Sequence, residues 1–319
     1  MKSSVQILVI AVAVIIVAGS FTYFYENGIG TQNDVKIYAP GEAIPFHNLT
    51  RIVSLLPSIT ANIYALGAWK DLVGISTYTS YPSNATLPIV ASLSSINNEE
   101  LLNLSPQAVI TIPDYYPSSV IDKVIQLGIP VIEVGQNNFS QIEQQITVLG
   151  QITGTSHNAS KITGWMNETI SSLRSDAMTY SNGKEKSVFY LLSTEGGYWT
   201  AGNNTFINDF FNIANLKNIA NGSGYYTISS SLIIKENPQV VILDQYVSED
   251  VMNSPPMNYT AASASKSYYT IFDDNYFNEP DFRSVYAVQW LIDEVYNKTV
   301  SIENFPINLP DNPAPEFLR

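Results

Sequence analysis

No cysteine occurs anywhere in the 319-residue sequence. Disulfides, thiol catalysis, cysteine-ligated metal and a cysteine-borne lipid anchor are excluded. Histidine is scarce, with 2 in the chain, His47 and His157. They show no ligand spacing, so no histidine-based metal site is expected. Charge is thin as well: Asp, Glu, Lys and Arg make up 13% of the chain, about half the usual share. Lys and Arg number 15 against 28 Asp and Glu, for a net charge of −13. A nucleic-acid partner needs a basic stripe to neutralise phosphates, and none is present. Gly-x-Ser-x-Gly, phosphate-loop and Gly-x-Gly-x-x-Gly motifs are missing too. Asp and Glu are available for glycosidase chemistry, but nothing in the sequence places two of them together. No catalytic residue and no cofactor is assigned, and the chain is read as a non-enzyme.

What is present is a large apolar fraction, 45%, enough for a substantial core. One apolar run stands apart. Ile7 to Phe24 carries no charge, and about 18 such residues approach the length that spans a bilayer. Lys2 precedes the run and Glu26 follows it, which orients the remaining chain outside the cell. Residues 1–25 are read as a transmembrane anchor, with a signal segment cleaved near Ala18-Gly19-Ser20 as the alternative. Asn-x-Ser/Thr sequons lie at Asn48, Asn84, Asn138, Asn158, Asn167, Asn203, Asn221, Asn258 and Asn297, with a tenth at Asn103 just before Pro106. With the leading apolar run, they suggest an extracellular glycoprotein on the membrane face.

Residues 26–48 read as a stalk, broken by Gly28, Gly30, Pro40 and Gly41. The stretch 51–76 then reads β-α-β. Ile52 to Leu56 is a strand, Ser58 an N-cap, and Ile59, Ile63 and Leu66 follow helical spacing to Gly67. The next strand is 72–76. Short connections between such elements signal a parallel sheet. Further strands are expected at 108–112 and 130–134, as continuous apolar runs of a sheet covered on both faces.

A long helix follows, with Ala159, Ile162, Met166, Ile170, Leu173 and Ala177 at three- and four-residue steps. Asn182-Gly183 ends it. The chain then repeats itself: "LLNLSPQAVI" at 101–110 resembles "LIIKENPQVVI" at 232–242, and "RIVSLL" at 51–56 resembles "SVFYLL" at 187–192. The expected fold is α/β: two Rossmann-like lobes, 49–155 and 185–305, joined by a backbone helix at 156–184. A Pro-rich tail follows at 306–319. A ligand cleft is expected between the lobes, where strand C-terminal ends meet. Tyr78 and Tyr81, in "LVGISTYTSYP", lie just past a strand end. Tyr115 and Tyr116 follow the strand at 108–112 in the same way.

These segments, in this order and spacing, resemble the class III substrate-binding proteins of ABC importers, which bind cobalamin, ferric siderophores or haem. "RIVSLLPSITANIYALG", "LVGISTYTSYP" and "NNEELLNLSPQAVI" look most like the cobalamin branch, over roughly residues 50–300. The resemblance implies an extracellular protein that captures a metal chelate: a corrinoid first, a ferric siderophore or haem second. A surface glycoprotein with an adhesive or structural role is the alternative of another class. The resemblance implies ligand contacts at Tyr78, at Trp199 in "GYWTAG", at Tyr225 in "GSGYYTI", and in the acidic-aromatic loop of Asp273, Asp274 and Tyr276. It also implies docking on a membrane permease, with its ATPase, through a carboxylate seven residues before the Pro of each lobe. Glu99, with Glu100 beside it, holds that position in the first lobe; Ser231 holds it in the second. Leu93 stands near a position where the cobalamin branch has a tryptophan. The protein is expected to act as a monomer.

Overall fold

The computed structural model describes residues 35–38 and 47–316. They divide into two compact α/β units. Residues up to Gly135 together with Gln144–Ser160 form one, and Gln136–Glu143 together with the chain from Lys161 onward form the other.

The first unit holds a six-stranded sheet. Its strands are β1 (Val35–Tyr38), β2 (Ile52–Ser54), β3 (Leu72–Ser76), β4 (Ile89–Ala91), β5 (Ala108–Thr111) and β6 (Val131–Val134), in the order β1-β6-β5-β2-β3-β4. All neighbours are parallel except β1, which runs antiparallel to β6. β2, β5 and β6 are buried along their whole length, which explains sequences that are apolar apart from Ser54, Thr111 and Glu133. Helices α1 (Pro57–Ala65), α2 (Asn98–Leu104) and α3 (Ser118–Gln126) belong to the same unit.

Two expectations change here. Val35–Tyr38, inside the stretch read as a stalk, is an edge strand; Tyr38 donates to Glu133 at 3.3 Å and Lys36 pairs with the same carboxylate at 4.0 Å. Ser58 is not a cap but lies buried within α1, which begins at Pro57. Proline has no N–H to satisfy and its φ is already helical, so it takes the first helical position and leaves the cap position to Leu56.

Helix α4 spans Phe139–Ile152 and α5 spans Ser156–Tyr180. On α5 the side chains of Ala159, Ile162, Met166, Leu173 and Ala177 are buried and Ile170 is half-buried. The expected stripe is therefore the packed face. Asn182 and Gly183 follow with φ of 52° and 68°, left-handed conformations that stop a helix.

The second unit has two sheets. β7 (Lys186–Leu191), β9 (Leu216–Asn218), β11 (Val240–Leu243) and β12 (Tyr268–Thr270) form a parallel sheet in the order β12-β11-β7-β9. β8 (Tyr198–Ala201) and β10 (Tyr225–Ile228) form an antiparallel ribbon. Helices α6 (Phe206–Ile213), α7 (Ser230–Glu236), α8 (Ala261–Ser265), α9 (Asp274–Phe277) and α10 (Ser284–Tyr296) complete it. One cluster of its core joins Phe189, Leu191, Ile233, Val241, Leu243 and Met257.

The sequence repeat is also a structural one. Asn97 and Ser229 each cap a seven-residue helix, α2 and α7, by accepting a hydrogen bond from a first-turn N–H. Each helix ends on a left-handed residue, Ser105 at φ 45° and Asn237 at φ 47°. Pro-Gln and a buried strand follow in both. The Gln107 side chain accepts from the Arg51 N–H at 3.1 Å while its own N–H donates to the Arg51 carbonyl at 2.8 Å. Gln239 does the same with Ser187, at 3.1 and 3.0 Å. The glutamine thus clips its strand to the start of the neighbouring one in each unit.

Candidate functional site

In the first unit, β3 ends at Ser76 and the chain leaves the sheet. Tyr78 follows with φ 66° and is 70% exposed. The Thr79 hydroxyl bonds the Ser76 carbonyl at 2.9 Å, which closes the turn beneath it. Tyr81 is different. It is 6% exposed, and its ring stands edge-on to Tyr64 with centroids 5.2 Å apart. Tyr81 is a packing residue that seats the loop carrying Tyr78. Tyr116 behaves in the same way: it is buried, and its hydroxyl donates to the Ser92 carbonyl at 2.6 Å. Burial pushes its pKa up. Tyr115 is half-buried and packs edge-on against Tyr116 at 4.9 Å.

In the second unit, Trp199 and Tyr225 come together through strand register. Trp199 pairs with Thr227, and Ala201 with Tyr225. Residues directly opposite in an antiparallel pair point to the same face, and alternate residues share that face. Trp199, Thr227 and Tyr225 therefore stand on one side of the ribbon. Trp199 and Tyr225 are diagonal neighbours there, a spacing that large rings can bridge. Both are exposed, at 38% and 44%. The opposite side carries Tyr198, Tyr226 and Ile228, which pack on the core. The ribbon is held by one face and shows two aromatics on the other. The Trp199 indole donates to the Glu195 carbonyl at 3.0 Å, and the Tyr225 ring lies 6.3 Å from Phe206.

The loop of Asp273, Asp274 and Tyr276 is engaged within its own unit. Asp273 caps α9, accepting from the Asn275 N–H at 2.9 Å. Tyr276 is buried, donates to the Pro313 carbonyl at 2.9 Å and stacks under the Arg283 guanidinium at 5.3 Å. Asp274 belongs to a network that sequence reading missed. The Tyr190 hydroxyl donates to Asp244 at 3.0 Å, and the Asn278 amide donates to Asp244 at 3.0 Å and to Asp274. Desolvation raises the Asp274 pKa, with Asn278 opposing and Asp244 and Asp273 adding to it. The signal in the sequence was Asp244, directly behind the apolar run Val240–Leu243.

Glu99 and Glu100 occupy the first turn of α2, beyond the Asn97 cap. Glu99 is exposed and Glu100 half-buried. Ser231 holds the matching place on α7, two residues after the Ser229 cap, and its hydroxyl lies 3.1 Å from that of Ser229.

Among the sequons, Asn48, Asn84, Asn103, Asn167, Asn203, Asn221, Asn258 and Asn297 are exposed. The amide nitrogens of Asn158, Asn167 and Asn203, the atoms a glycan would take, donate to the Leu66, Thr163 and Asn221 carbonyls at 3.0, 3.0 and 2.8 Å. Asn138 accepts from the Gln141 N–H at 2.9 Å near the start of α4. No helix among the described residues is long and apolar enough to cross a membrane; the run Ile7–Phe24 lies outside them. No group of three or more His, Asp or Glu among the described residues could hold a metal.

Comparison with known proteins adds a lineage. A family model described as periplasmic binding protein matches residues 52–274. An ABC transporter substrate-binding lipoprotein of Bacillus subtilis, itself uncharacterised, is 30% identical over 60% of this chain, and the match spans 62% of its own length. A cobalamin-binding protein of Halobacterium salinarum is 26% identical over 78% of this chain and 70% of its own. The structure of the periplasmic vitamin B12-binding protein of Vibrio cholerae superposes with a TM-score of 0.69 at 23% identity, covering 79% of this chain and 100% of that one. The periplasmic haem-binding protein of the same organism gives 0.68 at 25% identity, covering 77% and 99%.

Proposed function

This chain belongs to the periplasmic binding protein family, and from that premise we propose that it is the substrate-binding protein of an ABC importer for a metal chelate, a cobalamin or related corrinoid. The observation that carries the reading is the ribbon face on which Trp199 and Tyr225 stand exposed side by side. Flat rings on a backbone fixed by its other face offer broad contact area and lose little entropy on binding. In the first unit, Tyr78 carries an exposed ring and hydroxyl, and Tyr115 a half-buried one. Tyr81, Tyr116, Asp273, Asp274 and Tyr276 are engaged in packing and hydrogen bonds, and their role in this reading is to hold those elements in place. The function is capture rather than chemistry.

The cobalamin-binding relative, which matches over 78% of this chain, supports a corrinoid. The haem-binding structure at 25% identity supports a second reading, haem or a ferric siderophore at the same residues. The partner in either case is a transmembrane permease with its ATPase, met through Glu99 on the first turn of α2. The body lies on the extracellular side of the membrane, anchored by the apolar segment at 7–24, and the exposed sequons other than Asn103 are its glycan sites.

Aromatic truncation tests the contacts. Trp199→Ala and Tyr78→Ala should each weaken ligand binding about tenfold or more, Tyr78→Ala without lowering the melting temperature, because that side chain is 70% exposed. Affinities equal to the parent protein would remove these residues from the site.

A further inference from the structure

At the C-terminal edge of the second unit's parallel sheet, a single peptide group separates two loops. The Leu191 carbonyl accepts from the Asp244 N–H at 3.0 Å, and the N–H of the same peptide, that of Leu192, donates to the Trp199 carbonyl at 2.9 Å. The carbonyl and N–H of a trans peptide point to opposite sides. Trp199 therefore lies on one side of this peptide and Asp244 on the other, with two strand spacings, about 10 Å, between their backbones. Ligands of open α/β sheets bind at this edge.

Asp244 opens a tight turn. Its carbonyl accepts from the Val247 N–H at 2.9 Å, and its carboxylate from the Tyr246 N–H at 3.0 Å. Tyr190 and Asn278 hold the other carboxylate oxygen. The Gln245 side chain accepts from the Asp274 N–H at 3.1 Å, and Val247 is buried in the core cluster. What the turn leaves in the open is the ring of Tyr246. It is 81% exposed, the most exposed large hydrophobic side chain among the described residues. A ring on a turn pinned at both ends is preorganised for a partner. The chain leaving this edge is also acidic. Segments 192–197, 219–224, 244–253 and 271–278 carry Glu195, Asp244, Glu249, Asp250, Asp273 and Asp274 and no Lys or Arg. A carboxylate brought here would be repelled, whereas an amide N–H finds acceptors.

We propose that Tyr246 is a third ligand-contact ring of the second unit, across the Leu191–Leu192 peptide from Trp199, and that the ligand edge it meets carries amides rather than carboxylates. This role rests on the corrinoid reading proposed above: the ring packs against the rim of the macrocycle, and its hydroxyl bonds a peripheral amide.

Calorimetric titration of the full chain with cyanocobalamin tests this. Tyr246→Ala should weaken binding about tenfold or more and leave the melting temperature unchanged. Tyr246→Phe, which keeps the ring, should fall between that variant and the parent. Tyr259→Ala is the control. Tyr259 is 63% exposed, yet it stands near the opposite edge of the sheet, because the Ala261 and Ala262 N–H groups donate to Asn237 and Pro238, just before β11, at 2.7 and 2.9 Å. Its loss should leave affinity as in the parent. At least one of the b-, d- and e-monocarboxylic acids of cyanocobalamin, each with one peripheral amide turned into a carboxylate, should bind the parent about tenfold more weakly than the vitamin. Undiminished affinity in Tyr246→Ala, with Trp199→Ala weakened, would overturn the role of Tyr246 and leave the chelate reading standing. An equal loss in Tyr259→Ala would overturn it too. Undiminished binding of all three acids would overturn the amide edge. A parent chain that binds no corrinoid would overturn the corrinoid reading and the role of Tyr246 together.

Discussion

Arg283 and Asp281 are both buried, and the guanidinium reaches the carboxylate at 2.6 Å. Glu279 completes the group, 3.4 Å from Arg283 with a side chain 15% exposed. Burial pushes the Glu279 pKa up to about 8; Arg283 pulls against this, while Asp281, Asp274 and Asp273 add to it. A carboxyl whose pKa is raised on folding holds more protons in the native than in the unfolded state. Its contribution is fully present below the ordinary carboxylate range and is lost as pH rises toward about 8. Melting curves of the parent and Glu279→Gln should therefore converge or cross between about pH 5 and about pH 9, with the parent losing stability more steeply. Parallel curves would show that this carboxyl does not titrate in that window. Little of this cluster was legible in the sequence. Asp281 and Arg283 are two residues apart in an otherwise ordinary loop, and only their burial gives the pair its weight.

At the level of elements, the ribbon carries the proposed binding face, and its base depends on Gly202. A Cβ at that position would lie 2.8 Å from the Tyr226 ring and closer still to the Gly222 carbonyl oxygen. The Gly202 N–H meanwhile donates to the Gly224 carbonyl at 2.9 Å. Gly202→Ala should therefore cost about 1–3 kcal/mol, as overpacking does, and should also lower ligand affinity by re-aiming Trp199. Chemical unfolding together with a ligand titration measures both; a variant as stable and as tight-binding as the parent would show that the base tolerates the methyl. The ribbon itself was not readable from the sequence, because its strands, YWTA and YYTI, each open on two adjacent aromatics, show no apolar–polar alternation and lie beside glycines. The central strands were readable, since full burial demands continuous apolar runs such as Ala108–Thr111 and Val240–Leu243. The Pro-Gln repeat was visible as letters, but the clip that each glutamine makes to Arg51 or Ser187 needed coordinates. β1 escaped because an edge strand pairs through its backbone, and its sequence, VKIY, lies among helix- and strand-breaking residues.

For the whole molecule, the duplicated α2 and α7 present one carboxylate turn and one hydroxyl turn. If Glu99 meets the permease, Glu99→Lys should cut uptake in cells by about tenfold or more while leaving ligand affinity in solution unchanged, because an exposed charge reversal acts on the partner and not on the fold. Uptake equal to the parent would detach Glu99 from docking. The sequence carried the family as far as its order of strands, helices and turn residues, and the match over residues 52–274 extends across both units. It did not separate exposed rings from packed ones: Tyr78 and Tyr81 are three residues apart and alike in type, yet one is 70% exposed and the other 6%. Which chelate is carried is settled by binding itself. The most direct measurement is a calorimetric titration of the full chain with cyanocobalamin, with haem and ferric siderophores in parallel. The account predicts sub-micromolar corrinoid binding at one site. Binding of haem or a siderophore alone would keep the importer and change its cargo, whereas no binding to any of the three would contradict the chelate-capture account.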